Sequence, residues 1–380
     1  MTDLMDFDST PTDPALRRAV GLVRAEVRAQ KAYKVPTTLE GAKLDQNESP
    51  SDVPDEIKEA IWSAFSDEAW NRYPDDRPHR LVKAIEEKEG LPEGSVIVGR
   101  GSNELTHTLG LCFVSPGTPV VLPHPMFALY ESAVKMYGGD VVSVDPEPDL
   151  SHRADAILQA ARRHDAALTI VTTPNNPTGQ TISPADLDRL AEGVPGILVV
   201  DEAYHEFVQG RTATDLLKKH ANVLVLRTFS KALGLAGLRV GVMLGRPALI
   251  QEIEKSRLPF LVDRMSERVA LALLERSDLI QNRVKELVGE RERMEAEVAK
   301  LEGVEVIPGQ ANFFLFRTPM TPAAIREAMA ARGVRIRDVS GYQALPGYVR
   351  VSVGLPDENR AFLDALQAVL ADAAERAPLT

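Results

Sequence analysis

Short apolar, β-branched runs recur along the middle of the chain, each followed by a longer stretch with helical spacing of its apolar residues. Val96–Val98, Pro119–Leu122, Val141–Val144, Leu168–Thr172, Ile197–Val200, Val223–Leu226 and Val240–Leu244 are predicted strands. Residues 55–65, 77–90, 102–114, 127–138, 153–164 and 184–193 are predicted helices. Strands that alternate with helices predict an α/β fold: a mostly parallel, seven-stranded sheet sandwiched by helices. In such a sheet, ligands bind at the loops that follow the carboxyl ends of the strands.

The flanking segments read differently. Residues 1–14 are polar, acidic and proline-containing, the pattern of a mobile tail. Residues 15–30 predict a helix, and 31–54 a proline-rich connection. Residues 264–301 are mainly helical, with Ile280, Val284, Leu287, Met294, Val298 and Leu301 at recurring spacing. Two readings stay open there, a coiled coil or a helix packed on its own domain, and Arg291 at an expected apolar position speaks against the first. Strands at Val304–Ile307, Phe313–Phe316, Val334–Arg337 and Val349–Val353, with helices near 322–332 and 357–374, predict a smaller α+β domain. The expected division is a tail and arm over 1–50 that partly joins the small domain, a large ligand-binding domain over 51–255, and the small domain over 256–380.

Size and charge narrow the function. A chain of 380 residues exceeds the usual domain length of about 100–200, which agrees with two domains. Its net charge of −11 speaks against nucleic acid or an anionic membrane surface as partner, since both reward a basic face. The single cysteine, Cys112, rules out an intrachain disulfide and suits a reducing cytoplasm. Its apolar surroundings predict a small buried core residue. The acidic N-terminus lacks the pattern of a signal peptide, and no run approaches the length of a membrane span. The histidines show no metal-binding spacing. His205, beside Tyr204, is read as a packing or supporting residue with no assigned role.

The chemistry lies in the loops after three predicted strands. Lys231 follows Val223–Leu226 in Thr228-Phe229-Ser230-Lys231, with Arg239 close behind in Gly234–Gly241. Asp201 and Tyr204 follow Ile197–Val200, and Asn176 lies in Pro174–Gly179 after Leu168–Thr172. Taken alone, each has an ordinary explanation: a solvated loop lysine, a helix-capping aspartate, a proline-glycine turn. Taken together, an amine, a carboxylate, a phenol, an amide and a guanidinium meet the needs of pyridoxal phosphate. The lysine can hold its aldehyde, the carboxylate can pair with the pyridine nitrogen, the phenol and amide can bind the ring hydroxyl, and the arginine can bind the phosphate. Gly99-Arg100-Gly101-Ser102-Asn103-Glu104 opens a helix after a strand, which suits phosphate. Glu104 stands where a dinucleotide fingerprint needs glycine, so the motif is weak for NAD.

This combination resembles the fold-type I aminotransferases that use pyridoxal phosphate, and within them the histidinol-phosphate aminotransferase branch. The resemblance covers roughly residues 30–360. It rests on Asn47-Glu48-Ser49-Pro50, Arg72-Tyr73-Pro74-Asp75, Gly101–Glu104, Pro174–Gly179, Asp201–Tyr204, Ser230–Arg239, Ile336-Arg337-Asp338 and Arg350–Gly354 with Glu358-Asn359. It implies that Lys231 links covalently to the cofactor, that Asp201 meets the ring nitrogen, and that Tyr204 and Asn176 hold the ring oxygen. Gly101, Ser102, Asn103, Thr228, Ser230 and Arg239 would surround the phosphate, and Phe127 would stack on the ring. Tyr73 would reach the neighbouring subunit's cofactor, which implies a homodimer with shared active sites. Arg350, Arg337 and Tyr33 would contact substrate. The implied reaction is amino transfer from histidinol phosphate to 2-oxoglutarate in histidine biosynthesis. An aromatic or broad amino-acid aminotransferase and an amino-acid decarboxylase are the alternatives within the fold. The chain departs from the branch at Asn47-Glu48-Ser49-Pro50-Ser51-Asp52, where Asn-Glu-Asn-Pro-Tyr-Gly is common, and at Lys31–Pro36, where a Pro-Tyr pair is usual.

Overall fold

A computed structural model describes residues 13–32, 41–208 and 212–376. All seven predicted strands form and join in one sheet. Their spatial order is Val96–Arg100, Val240–Leu244, Val223–Thr228, Ile197–Asp201, Leu168–Thr172, Pro119–Pro123 and Asp140–Val144. Val240–Leu244 runs antiparallel to both neighbours, and the other pairs are parallel. Successive residues of the central strands serve two separate cores. Leu198, Val200, Val223 and Val225 pack on one face, and Val199, Leu224 and Leu226 on the other. Burial on both faces is why these runs lack polar alternation.

The helices lie close to their predicted spans, with Ser102–Phe113, Leu129–Met136 and Pro184–Gly193 among those flanking the sheet. Ser183 caps the last of these by accepting from the Asp186 amide, with Pro184 in the first turn. The expected helix over 15–30 is two pieces, Pro14–Gly21 and Ala25–Arg28. Gly21 is a weak helix former, and neither piece has a buried residue whose packing would hold them continuous.

A second, antiparallel sheet follows, in the order Arg337–Asp338, Tyr348–Ser352, Phe313–Arg317 and Glu305–Ile307. With the helices Ser277–Val298, Pro322–Ala330 and Pro356–Arg376 it makes the smaller α+β unit. The helix Ser277–Val298 packs on its own chain, which answers the coiled-coil question. Arg291 is buried there and donates from Nη1 to the Ala311 carbonyl at 3.0 Å, so an apolar position was not needed.

The expected strand Val334–Arg337 is divided at Ile336. Val334–Arg335 pairs in parallel with a strand missed in the proline-rich connection, Ala42–Lys43, whereas Arg337–Asp338 pairs with Tyr348–Ser352. Leu44 explains the change of partner. Its N–H donates to the Arg335 carbonyl and its own carbonyl accepts from Ser352, so the arm wedges between the two pieces. Gly41 permits the approach, since a Cβ there would sit 2.1 Å from the Gly333 carbonyl oxygen. Cys112 is half-buried at a core margin, its Sγ 3.0 Å from Ser256 Oγ, rather than fully inside. Among the described residues, no helix is long and apolar enough to cross a membrane.

Candidate active site

The carboxyl edge of the large sheet gathers the predicted residues. Asp201 is the last residue of its strand, and Lys231, Asn176 and Gly101-Ser102 follow three others. The arm and the second sheet close the opposite side. The Lys231 ammonium donates to the Gln46 carbonyl at 3.1 Å and lies 5.8 Å from the centre of the Tyr204 ring. Tyr204 is buried, its hydroxyl accepting from Asn47 Nδ2 at 3.0 Å. Arg350, also buried, donates to Asn176 Oδ1 and, at 2.9 Å, to the Asp45 carbonyl.

Burial, and then the cations Arg350, Arg239 and Lys43, push the Lys231 amine down to about 7, against a smaller opposing pull from Glu48. A substantial neutral fraction therefore exists near neutral pH, which a nucleophilic or proton-transferring amine requires. Asp201 is shifted the other way. Burial raises its carboxyl above the usual range, although hydrogen bonds from Tyr130 and the Ala203 amide oppose the rise. Tyr204 is raised by burial, with Arg350 and Asn47 pulling it back.

A second cluster suits an anion. The helix Ser102–Phe113 begins after Gly101, which adopts φ 78°. A Cβ at Gly101 would lie 2.4 Å from Arg239 Nη2, and one at Gly241 would lie 2.2 Å from the Ser102 nitrogen. Arg239 donates to Ser230 Oγ at 3.3 Å, and the Thr228 hydroxyl donates to Ser230 Oγ at 2.9 Å. Free N–H groups at a helix start, two hydroxyls and a guanidinium form a phosphate-sized cradle. Ser102 is half-buried and Asn103 exposed on that first turn. Glu104, which spoils the dinucleotide pattern, pairs with Arg257 at 3.0 Å.

Other expected residues sit at the margin or outside. Phe127 is half-buried against the core that holds Met126 and Tyr130. Arg337 and Arg350 are directly opposed across adjacent strands. A surface bridge from Arg337 to Asp338 does not form; the Asp338 carboxylate instead accepts from the Ser340 amide and hydroxyl. Tyr73 does not join this cluster of contacts. Its ring is 78% exposed and stacks on Phe260 at 4.7 Å. Tyr33 lies outside the described residues. His205 bonds the Glu202 carbonyl, and burial, with the nearby Arg227, holds its imidazole well below the usual pKa and so neutral.

Three contributors escaped sequence reasoning. Asn47 adopts φ 54° and connects Tyr204 to Ser352. Tyr130 donates to Asp201 Oδ2 at 2.7 Å. Arg227, buried one residue before Thr228, pairs with Glu202 at 3.0 Å and Glu89 at 2.8 Å, tying the strand that ends in Asp201 to the one that leads to Lys231. Asn47 opens one of the motifs and Tyr130 lies three residues after Phe127, but their partners are far away in sequence.

An enclosed amine, a buried carboxylate, a phenol, an amide and a phosphate cradle on one sheet edge fit a phosphorylated pyridine aldehyde. The fold and these groups define a fold-type I pyridoxal-phosphate enzyme. The family model for aminotransferase class I and II matches residues 40–366, and the chain belongs to that family, in its histidinol-phosphate aminotransferase branch. The chain is 40% identical over 339 residues to a histidinol-phosphate aminotransferase of Chlorobium phaeovibrioides, covering 89% of this chain and 94% of that one. Histidinol-phosphate aminotransferase from Sinorhizobium meliloti, solved with pyridoxal-5'-phosphate, superposes with a TM-score of 0.82 at 26% identity, covering 92% of this chain and 97% of that one. L-threonine-O-3-phosphate decarboxylase from Porphyromonas gingivalis shares the fold, with a TM-score of 0.77 at 21% identity over 87% of this chain and 99% of that one. The enzyme is a transaminase that uses pyridoxal 5'-phosphate.

Proposed function

We propose that this chain transfers the amino group of histidinol phosphate to 2-oxoglutarate. The observation that carries the reading is Arg350, buried beside the Asn176 amide and within electrostatic reach of Lys231, with Arg337 opposite it on the adjacent strand. A guanidinium fork at this site suits the phosphate of the donor or a carboxylate of the acceptor. The similarity to histidinol-phosphate aminotransferases over most of the chain supports the same substrate.

The cofactor supplies an aldehyde that captures amines and a ring that accepts the electron pair left when the substrate's α C–H bond breaks. The chain's residues do the rest. Lys231 would hold the aldehyde, and its amine, neutral in part near pH 7, would serve as the group that takes up and returns the substrate's α-proton. Asp201 would pair with the ring nitrogen and favour its protonated form. Tyr204 and Asn176 would bind the ring oxygen, with Asn47 orienting the phenol. Gly101, Ser102, Asn103, Thr228, Ser230 and Arg239 would hold the phosphate, and Phe127 would cover the ring.

Arg350→Ala is expected to lower kcat/KM for histidinol phosphate by about 10²-fold or more, because truncating one partner of a buried charge contact leaves the other unmet. Cofactor affinity should change far less. Arg350→Lys should rescue only in part, since an ammonium offers a point charge and no fork. Steady-state rates with histidinol phosphate and with histidinol check this. Equal rates on the two amines would replace the proposal with a broad amino-acid aminotransferase.

The same reading includes a homodimer in which Tyr73 reaches the neighbouring cofactor. Its support is an exposed apolar patch: Tyr73 on Phe260, with Trp62 and Trp70 nearby in sequence and likewise exposed. Mixing inactive Lys231→Ala with Tyr73→Phe should recover activity, because a heterodimer would own one site with both residues intact. No recovery in chains shown to have exchanged would place Tyr73 in its own subunit's site, or in none.

A further inference from the structure

Asp201 is held by two donors. Its Oδ1 accepts from the Ala203 amide at 2.9 Å, and its Oδ2 from the Tyr130 hydroxyl at 2.7 Å. Tyr130 is only 1% exposed and sits in an apolar cluster with Leu105, Leu109, Met126 and Leu226. No bulk water reaches that hydroxyl to replace a lost partner. The Thr106 hydroxyl also neighbours the Tyr130 phenol; its single hydrogen goes either to the phenol oxygen or to the Ser102 carbonyl, 3.1 Å away. A chain of side chains thus runs from the first turn of the phosphate-cradle helix to the carboxylate.

We propose that Tyr130 is a positioning residue that keeps Asp201 ionised and aimed, so that the proton between Asp201 and the cofactor's ring nitrogen stays on nitrogen. The proposal rests on the reading that Asp201 meets that nitrogen. The direction of the bond is unambiguous. Burial and the Asp201 charge hold the Tyr130 phenol well above its usual pKa, so it donates throughout the working pH range. Each of the two donors uses one lone pair of the carboxylate, restrains its rotation, and leaves acceptor capacity for a ring N–H.

The energetics explain why a second donor is needed. In a buried site, an ion pair of carboxylate and pyridinium competes with the neutral pair formed when the N–H bond breaks and an O–H bond forms on Asp201. Desolvation favours the neutral pair, and Glu202 nearby adds to that pressure, whereas Lys231 opposes it. Hydrogen bonds to the charged carboxylate shift the balance back. Without Tyr130, the proton moves to Asp201, and the ring loses the charge that makes it an electron acceptor.

The test is Tyr130→Phe, which removes one oxygen and preserves the packing, examined as the holoenzyme carrying cofactor labelled with nitrogen-15 in the ring. The ring-nitrogen resonance should move from the protonated toward the unprotonated position. Roughly tenfold to hundredfold of kcat should be lost, the scale of one hydrogen bond to a charged group, with KM little changed. Thr106→Val should shift the resonance in the same direction by less. Asp201→Asn is the reference for a nitrogen without a charged partner. If Asp201→Asn moves the resonance and Tyr130→Phe does not, the Tyr130 role is overturned and the Asp201 reading stands. If neither moves it, both fall. Loss of activity and melting temperature in Tyr130→Phe with an unchanged resonance would make the hydroxyl a packing element only, which also overturns the proposal.

Discussion

Lys231→Ala is expected to abolish covalent cofactor attachment and to lower turnover by more than about 10⁴-fold, since one residue supplies both the anchoring amine and the transferred proton. Borohydride reduction of the wild-type holoenzyme, followed by peptide mapping, should place the label on Lys231; a labelled peptide without it would refute the mechanism. A pH series adds a second check. Enclosure and neighbouring cations bring the amine down to about 7. Only the neutral amine attacks an aldehyde, so the rate of attachment to apoenzyme should climb with pH and level off above about 7. An increase that continues toward pH 10 would mean that the enclosure seen here does not act on the amine.

Asp201→Asn should retain bound cofactor yet lose about 10²–10³-fold or more in kcat, the scale found when a preorganised electrostatic partner is removed. The amide keeps the shape but carries no charge to hold a proton on the ring nitrogen. Cofactor content after gel filtration and single-turnover rates separate binding from chemistry. A near-normal rate would show that another group meets the nitrogen.

The large sheet was legible because its strands are buried on both faces, which leaves a direct apolar signature at Ile197–Val200 and Val223–Leu226. The central residues were legible for a different reason. Lys231, Asp201 and Asn176 each follow a strand end, so the rule for open α/β sheets brings them to one edge before any contact is known. Side chains whose meaning depends on distant partners carried no such signal. Nothing near Tyr130 announces Asp201, and Asn47 gains its place only once the arm meets Ser352. The division at Ile336 was hidden because both halves are extended and contiguous, and only the wedge at Leu44 separates them. Arg291 shows the converse: a charge inside an apolar repeat was met by the Ala311 carbonyl and the carboxylates of Glu292 and Glu295, so the helix stayed packed.

The short pairing of Ala42–Lys43 with Val334–Arg335 sets an order of assembly. The arm is made first, and its partner strands leave the ribosome near the end of synthesis. At roughly 5–20 residues per second, the interval is on the order of 15–60 s. In the later part of that time the strands that lead to Asp201 and Lys231 can already pair, whereas the carbonyls of Asp45 and Gln46 have no fixed position. The Asn47 amide N–H meets the Ser352 hydroxyl across 305 positions, so this wall closes only when nearly the whole chain exists. The catalytic pocket is thus a late product of translation, and a prematurely terminated chain carries the reactive lysine without the enclosure that tunes it.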